Sequence, residues 1–363
     1  MSNNEPASSA HEQAPARREK SPQRGKRSWQ TRLIAIVLAI LMCALSVPLF
    51  MFGSLLGQYT DTSEKHFAAE APPEGELDPQ IAPPVIDPNA HEVMGNTKTI
   101  TNILLVGVDS RSSGSFSGLS DTMMVLTIDT ARQEMRMTSL MRDVFLKIPR
   151  DPNPFSQKLN AAYSTGGIEL LQKTLRERFA LKIDEYVIIN FAGMQAVVDK
   201  MGGLPLSITA AESREIPGVT NFAGDPRTIT LTGAQTLAYA RTRNFADGDF
   251  GRTGRQQQVI TAILDRAKSL GMNAVREMLT ELGKHVKTNI SQSKMVGYAV
   301  KALADYKDYG METGYRVPQD DNYYFDRIPT GGGLTMSVIQ IDDWNLAVSD
   351  LKRYVYNGEK QHT

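Results

Sequence analysis

The sequence predicts an α/β fold: a mixed central sheet flanked by helices on both faces, tethered by one N-terminal transmembrane helix. Two observations predict it. From Ile100 onward, apolar runs of strand length interleave with runs whose apolar residues recur at helical spacing. Ahead of them, Leu33 to Gly57 holds 25 residues without a charge, enough to span a hydrocarbon core of about 30 Å.

The chain has 363 residues, with 40 basic and 40 acidic side chains and no net charge. At roughly 150 residues per domain this allows two domains or one large one. Balanced charge argues against a general nucleic-acid binder, which shows a basic excess, so no nucleic-acid partner is expected. The balance hides an asymmetry. Residues 1–32 carry Arg17, Arg18, Lys20, Arg24, Lys26, Arg27 and Arg32 against Glu5, Glu12 and Glu19, whereas 61–92 carry eight acidic residues against Lys65 alone. The single cysteine, Cys43, excludes an internal disulfide; in an apolar run its default role is a small buried hydrophobe.

Residues 1–32 are expected to be a disordered basic tail. The apolar run 33–57 is expected to be an uncleaved membrane helix. It exceeds a signal-peptide core of about 7–15 residues, and no small-x-small site ends it. Pro48 is tolerated in a membrane helix. The basic flank places the tail in the cytoplasm and everything after residue 57 outside. Residues 58–97 read as a Pro- and acid-rich extracytoplasmic linker, extended and semi-rigid. His66 and His91 fall there, too far apart to suggest a metal pair. Residues 98–363 are expected to form the globular part, with helices prominent in its C-terminal extension.

Within it, Asn102–Val108 reads as a buried strand that delivers Asp109 at its end. A Ser/Gly loop follows to Ser120, and Asp121 precedes a second strand, Thr122–Asp129. Met135–Met141 alternates as a third strand and leads to Arg142. Residues 149–157 read as a loop. Lys158 stands at the entry to a helix running through Ile168, Leu171, Leu175 and Phe179. Tyr186–Asn190 is a strand, and Phe191–Met201 a helix stopped by Gly202-Gly203. Leu206–Thr209 and Thr228–Leu231 are short strands. Helices are expected over 255–270, 273–282 and 291–304, late strands at 315–317 and 324–328, a turn at 331–333 and a final helix at 342–354. Met123, Met124, Met135, Met137 and Met141 are expected in the core.

The stretch Leu231–Gln258 is the chemical focus. It carries Arg241, Arg243, Arg252 and Arg255 in a run otherwise poor in charge. Thr232 can cap a short helix that Ala, Gln, Leu and Ala propagate. Asn244 to Gly251 is turn-rich, so an extended exit would put Arg241 and Arg243 on one face. Arg252 and Gln256 share a helical face four residues apart. With only Asp247 and Asp249 nearby to pair them, the four arginines read as an anion site. Guanidinium forks suit phosphate oxygens, and a helix start adds free N–H donors; simple surface ion pairs are the alternative.

Asp109 and Asp121 would meet at one sheet edge if their strands are neighbours. Two carboxylates and a phosphate are a usual Mg²⁺ environment; capping by each Asp is the alternative. With Arg142 and Lys158 the set suits phosphoryl chemistry. There is no P-loop and no G-x-S-x-G elbow. None of the five histidines falls in this set, which disfavours Ser-His or Cys-His nucleophilic catalysis. Asp247-Gly248-Asp249 lacks the rest of an EF-hand loop.

The blocks NILLVGVDSR (102–111), SDTMMVLTID (120–129), SLMRDVFLKIP (139–149), KLNAAY (158–163), VVDKMGGLPL (197–206) and LTGAQTLAYARTRN with DGDFGRTGRQQQ resemble, in order, the motifs of the LytR-CpsA-Psr family. The resemblance covers roughly residues 100–270. It implies a phosphotransferase that moves a glycopolymer from undecaprenyl pyrophosphate to a cell-wall hydroxyl, typically of peptidoglycan. It implies that Asp109 and Asp121 hold Mg²⁺, and that Arg142, Lys158, Arg241, Arg243, Arg252 and Gln256 contact the pyrophosphate. Apolar faces would take the prenyl tail. Met141 stands where the family often has Pro, and Gly254 where Glu or Gln is common; neither touches the charged set. A non-catalytic binder of the lipid-linked precursor, a pyrophosphate hydrolase and a transcriptional regulator are the competing readings. Zero net charge and the outside topology oppose the last.

Overall fold

The computed structural model describes residues 97–110, 115–243, 248–268, 285–291, 294, 309–331 and 334–359. The tail, the membrane helix with Cys43, nearly all of the linker with both its histidines, and the helices expected at 273–282 and over most of 291–304 lie outside the described residues. Among the described residues, no helix is long and apolar enough to cross a membrane.

In chain order the strands are β1 (Ile100–Val108), β2 (Ser120–Asp129), β3 (Glu134–Leu140), β4 (Phe145–Ile148), β5 (Phe155–Lys158), β6 (Glu185–Asn190), β7 (Leu204–Ile208), β8 (Arg227–Leu231), β9 (Val286–Thr288), β10 (Gly310–Val317), β11 (Tyr323–Gly331) and β12 (Leu334–Ile341). The helices are α1 (Asn160–Phe179), α2 (Phe191–Lys200), α3 (Ala210–Ser213), α4 (Gly233–Arg241), α5 (Gly248–Lys268) and α6 (Trp344–Lys352), the last continued by a π-helical turn, Arg353–Asn357. The main sheet runs β10-β3-β2-β1-β6-β9. It is mixed: β1 pairs antiparallel with β2 and parallel with β6, and β10 lies parallel to β3.

Strand alternation sorts the core into two layers. Leu104, Val106, Val108, Met123 and Val125 pack with Leu171 and Leu175 of α1 and with Val348 and Leu351 of α6. Ile103, Met124, Leu126 and Met137 face the other way, where Ile260 of α5 covers them. Helices therefore flank both faces, as expected, and all five methionines named above are buried. A further cluster ties α2, α4, α5, β7 and β8 together through Val198, Leu204, Leu231, Tyr239 and Val259.

Four local expectations need correction. The loop expected at 149–157 ends in a strand: Phe155–Lys158 pairs antiparallel with Phe145–Ile148, placing Lys158 opposite Phe145. Pairing with β4 across a short connection overrides a segment whose Pro152 and Pro154 signal only a turn. Helix α5 begins at Gly248 rather than near Arg255. Strand β12 was not expected, yet it pairs with β11 along its length. The last helix starts at Trp344, capped by Asp343, whose side chain accepts from the Leu346 N–H at 3.0 Å.

One close approach sets the position of α4. The Gly233 N–H donates to Asp199 Oδ1 at 2.7 Å, and a Cβ at Gly233 would stand 2.3 Å from the Gln195 carbonyl oxygen. Backbone meets backbone there, and neither helix can yield cheaply. Gly233→Ala should destabilise the protein by about 1–3 kcal/mol, the cost of overpacking, measured by urea denaturation. A change below about 0.5 kcal/mol would show that α4 is not seated by this contact.

Candidate functional site

A β-bulge aims the first carboxylate. Along β1 and β2 the register steps from Gly107↔Thr122 to Val108↔Ser120, so Asp121 is the extra residue. A bulge turns consecutive side chains toward one side, and both Asp121 and Thr122 line the same pocket. Asp121 thus lies within β2 rather than before it. Asp109 follows β1 directly, and its N–H donates to the Leu119 carbonyl at 3.3 Å. The two carboxylates are at one end of neighbouring strands.

Helix α4 starts as expected. Thr232 caps it, with Gln235 completing a capping box. The helix runs on through Arg241, so Arg241 does not lie in an extended exit with Arg243. Both still line the pocket. The Arg241 guanidinium lies 4.5 Å from the centre of the Phe191 ring and 3.6 Å from Asp109 Oδ2. A cation over a ring face is held without using up its N–H donors.

The early start of α5 places Asp249 in its first turn, where a carboxylate also meets the positive end of the helix dipole. Asp249 holds three guanidiniums. Arg252 Nη2 lies 2.8 Å from Oδ2, Arg142 Nε 3.3 Å from Oδ2, and Arg243 Nε 3.3 Å from Oδ1. Arg142 also donates to Asp121 and lies 3.5 Å from Asp143, whose other oxygen takes Lys158 Nζ at 2.8 Å. Arg255 belongs elsewhere: it donates to the Thr242 carbonyl at 2.9 Å and pairs with Glu212 at 3.6 Å, bracing the chain between α4 and α5.

Burial sharpens these charges. Burial opposes the charge on Arg142, but Asp143, Asp249 and Asp121 outweigh it and hold its pKa above the ordinary arginine value. Arg252 is only 3% exposed. Burial, then repulsion from Arg142, push it down to about 10 against the pull of Asp249, so it stays charged at neutral pH. Its Nε is buried and has no hydrogen-bond partner among the described residues. A buried charged donor without an acceptor is costly. Burial would raise the Asp143 carboxyl, yet the hydrogen bond from Lys158 and the nearby Arg142 bring it below the usual aspartate value.

The pocket, about 240 Å³, has two kinds of wall. Ile189, Phe191, Met194, Leu237, Val259 and Ile260 make an apolar side, while Asp121, Arg241, Arg243, Arg252 and Gln256 make a charged and polar one. Of the expected site residues, Asp109, Arg142 and Lys158 do not line it; Asp109 is joined to it through Arg241, and Arg142 and Lys158 through Asp249, Asp121 and Asp143. Gln256 does line it, with Nε2 3.5 Å from the Ala240 carbonyl.

The expected donors for a magnesium ion, Asp109 and Asp121, each already face a guanidinium, Arg241 at 3.6 Å from the first and Arg142 on the second. No group of three or more His, Cys, Asp or Glu that could hold a metal occurs among the described residues. Two carboxylates suit magnesium, which takes one or two and fills its octahedron with waters and substrate phosphate oxygens. The residues present therefore fit the ion in company with a phosphate ligand.

Sequence reasoning weighed Asp249 only as a nearby ion-pair partner and passed over Asp143. Asp249 lay inside an apparent Asp-Gly-Asp turn, although its place three residues before Arg252 is the spacing of a helical ion pair. Asp143 follows Arg142 directly, and nothing in the sequence pairs it with Lys158.

Three comparisons bear on this arrangement. The model of the LytR_cpsA_psr family matches residues 57–326. Biofilm regulatory protein A of Streptococcus mutans is 34% identical over 236 residues, which are 58% of this chain and 57% of that protein. The protein of Oceanobacillus iheyensis named polyisoprenyl-teichoic acid--peptidoglycan teichoic acid transferase TagU is 31% identical over 288 residues, 77% of this chain and 83% of its own length. The chain thus spans less than two thirds of the first relative and most of the second. Among solved structures, protein gbs0355 of Streptococcus agalactiae superposes with a TM-score of 0.58 at 27% identity, covering 73% of this chain and 91% of that one.

Two outcomes follow from the charge network. Asp249→Ala would leave Arg252 buried without its carboxylate and should cost about 3–5 kcal/mol. Millimolar inorganic pyrophosphate should then raise the thermal midpoint of the variant more than that of the wild type; equal shifts would deny Asp249 its role as counter-ion. The folded-state pKa of Asp143 lies below its unfolded value, so the stability it contributes is complete above about pH 4 and is lost as pH falls through the folded value. Asp143→Asn should flatten that part of the stability–pH curve, measured by urea denaturation between about pH 5 and pH 2.5. Superimposable slopes would assign the acid sensitivity elsewhere.

Proposed function

The chain belongs to the LytR-CpsA-Psr family, and from that premise we propose that it is a membrane-anchored phosphotransferase. It moves a glycopolymer from an undecaprenyl pyrophosphate carrier to a hydroxyl of peptidoglycan and leaves a phosphodiester link. One observation carries this reading: an apolar pocket is lined on its charged side by Arg241, Arg243 and Arg252. A greasy wall beside a polycationic rim is complementary to a prenyl pyrophosphate and to little else of ordinary cell chemistry. The names of relatives that act on polyisoprenyl-linked teichoic acid support it.

In this reading the prenyl chain enters along Phe191, Met194, Leu237 and Ile260, where apolar burial contributes about 25 cal/mol per Å². Arg241, Arg243 and Arg252, with Gln256, take the phosphate oxygens. Arg142 and Lys158 hold Asp121, Asp249 and Asp143 in place and extend the positive field. Asp109 and Asp121 would hold Mg²⁺, which would neutralise pyrophosphate charge when bound. The acceptor hydroxyl attacks the sugar-linked phosphorus. The bond to the bridging oxygen breaks, and undecaprenyl phosphate leaves with its added charge balanced by the guanidiniums. The hydroxyl proton goes to solvent; carboxylates held by arginine or metal are poor bases. The anchor is 33–57, the spacer 58–97, and the site faces outward.

Release of undecaprenyl phosphate by the full-length protein from a lipid-linked glycan, with and without a peptidoglycan fragment, tests this. Arg252→Ala should lower turnover by about 10²–10³-fold, the size of losing one oriented donor to developing charge, and Arg252→Lys should recover only part of it. Wild-type turnover in Arg252→Ala would sink the phosphate-clamp assignment. Release that ignores the acceptor would make the protein a hydrolase. Binding without release would make it a precursor-binding regulator.

A further inference from the structure

Hairpin β11–β12 leaves large apolar side chains in water. Phe325 is 65% exposed and stands beside two further rings. Tyr323 and Phe325 fall on one face of β11 by alternation, and Phe250 of α5 joins them. Ring centres lie 4.9 Å apart for Phe250–Tyr323, 5.5 Å for Tyr323–Phe325 and 6.1 Å for Phe250–Phe325. Arg316 lies 4.3 Å from the centre of the Phe250 ring and pairs with Asp320.

This aromatic face adjoins the charge cluster. Phe250 is the residue after Asp249. The Ile339 N–H of β12 donates to the Asp143 carbonyl at 2.9 Å, and Val144 bridges Ile339. None of the three rings lines the apolar pocket, which lies among α2, α4 and α5. The arginine cluster therefore has an apolar pocket on one side and an aromatic face on the other. The family-matched segment ends at residue 326, inside β11, so β12 lies beyond it.

We propose that Phe250, Tyr323 and Phe325 form a saccharide subsite for the sugar joined to the donor pyrophosphate. The proposal rests on the function argued above and names the part of the substrate beyond the phosphates. With the prenyl tail in the pocket and the phosphates on the arginines, the remaining substituent points away from the pocket. A pyranose offers a C–H-rich face that packs on the negative face of an aromatic ring. Its hydroxyls suit the charged edge made by Arg316 and Asp320. The donor sugar is favoured over an acceptor glycan because Phe250 shares a helical turn with Asp249 and Arg252, next to where the phosphates would sit.

The test uses full-length protein in detergent micelles and two probes, undecaprenyl pyrophosphate and undecaprenyl-pyrophosphoryl-N-acetylglucosamine. Dissociation constants are measured for wild type, Phe325→Ala and Phe325→Trp. Phe325 is exposed, so its truncation leaves the core intact. In Phe325→Ala the preference for the sugar-bearing probe over the bare one should fall about fivefold, and in Phe325→Trp it should persist. An unchanged preference in Phe325→Ala overturns the subsite. So does an unchanged preference accompanied by a raised KM for the peptidoglycan fragment, which would assign the face to the acceptor. Failure of the wild type to bind either probe would fell the pyrophosphate reading itself, before any variant is compared.

Discussion

The carboxylate of Asp249 is the interaction on which the site depends. It lies within ion-pair reach of Arg142, Arg243 and Arg252. Those three come from the end of β3, from the exit of α4 and from the first turn of α5. Without a shared anion, three guanidiniums gathered at a low-dielectric rim would repel one another, and the buried one would bear that cost with its desolvation. The shared carboxylate keeps the cationic groups close together. It also leaves them oriented, so a phosphate entering the pocket meets donors that need little reorganisation.

The fold supplies the geometry by three local devices. The bulge at Asp121 turns that carboxylate and Thr122 to one side of the sheet. The contact of Gly233 with the Gln195 backbone sets α4 against α2, which brings Arg241 over Phe191. Arg255, though it looks like a fourth member of the cluster, ties Thr242 and Glu212 together and so fixes the chain on which Arg243 hangs. Binding and bracing arginines stand only three residues apart in one helix, distinguished by the direction in which the helix points them.

Much of this was legible in the sequence. Apolar runs of strand length announced β1 and β2, alternation announced β3, and the run 102–109 announced a carboxylate at a strand end. Thr232 with Gln235 marked the start of α4. What stayed hidden depends on pairing and packing partners that no local pattern names. A bulge exists only in a register, so Asp121 looked like a residue before a strand. Asp249 looked like a turn residue because Gly248 and Gly251 weaken a helical reading that packing restores. Strand β5 is hidden by the prolines beside it and made by pairing with β4. The aromatic face combines α5 with β11, more than seventy positions later in the chain, and no local pattern joins them.

The same reasoning explains why the charged set contains residues that never touch the pocket. Arg142 carries three carboxylates and Lys158 one. If both instead bound substrate directly, Asp121 would lose Arg142 and Asp143 would lose Arg142 and Lys158 at the moment of binding, and the gain on phosphate would be offset by half-buried carboxylates left unpaired. On the proposed function, keeping Arg142 and Lys158 as counter-ions would free Arg241, Arg243 and Arg252 for the ligand while the acidic groups stay neutralised. Exposure follows that division. Arg241 and Arg243 have 44% and 46% of their side chains in contact with solvent, against 15% for Arg142. The exposed pair can move onto an arriving anion, and the buried one holds the frame against which they move.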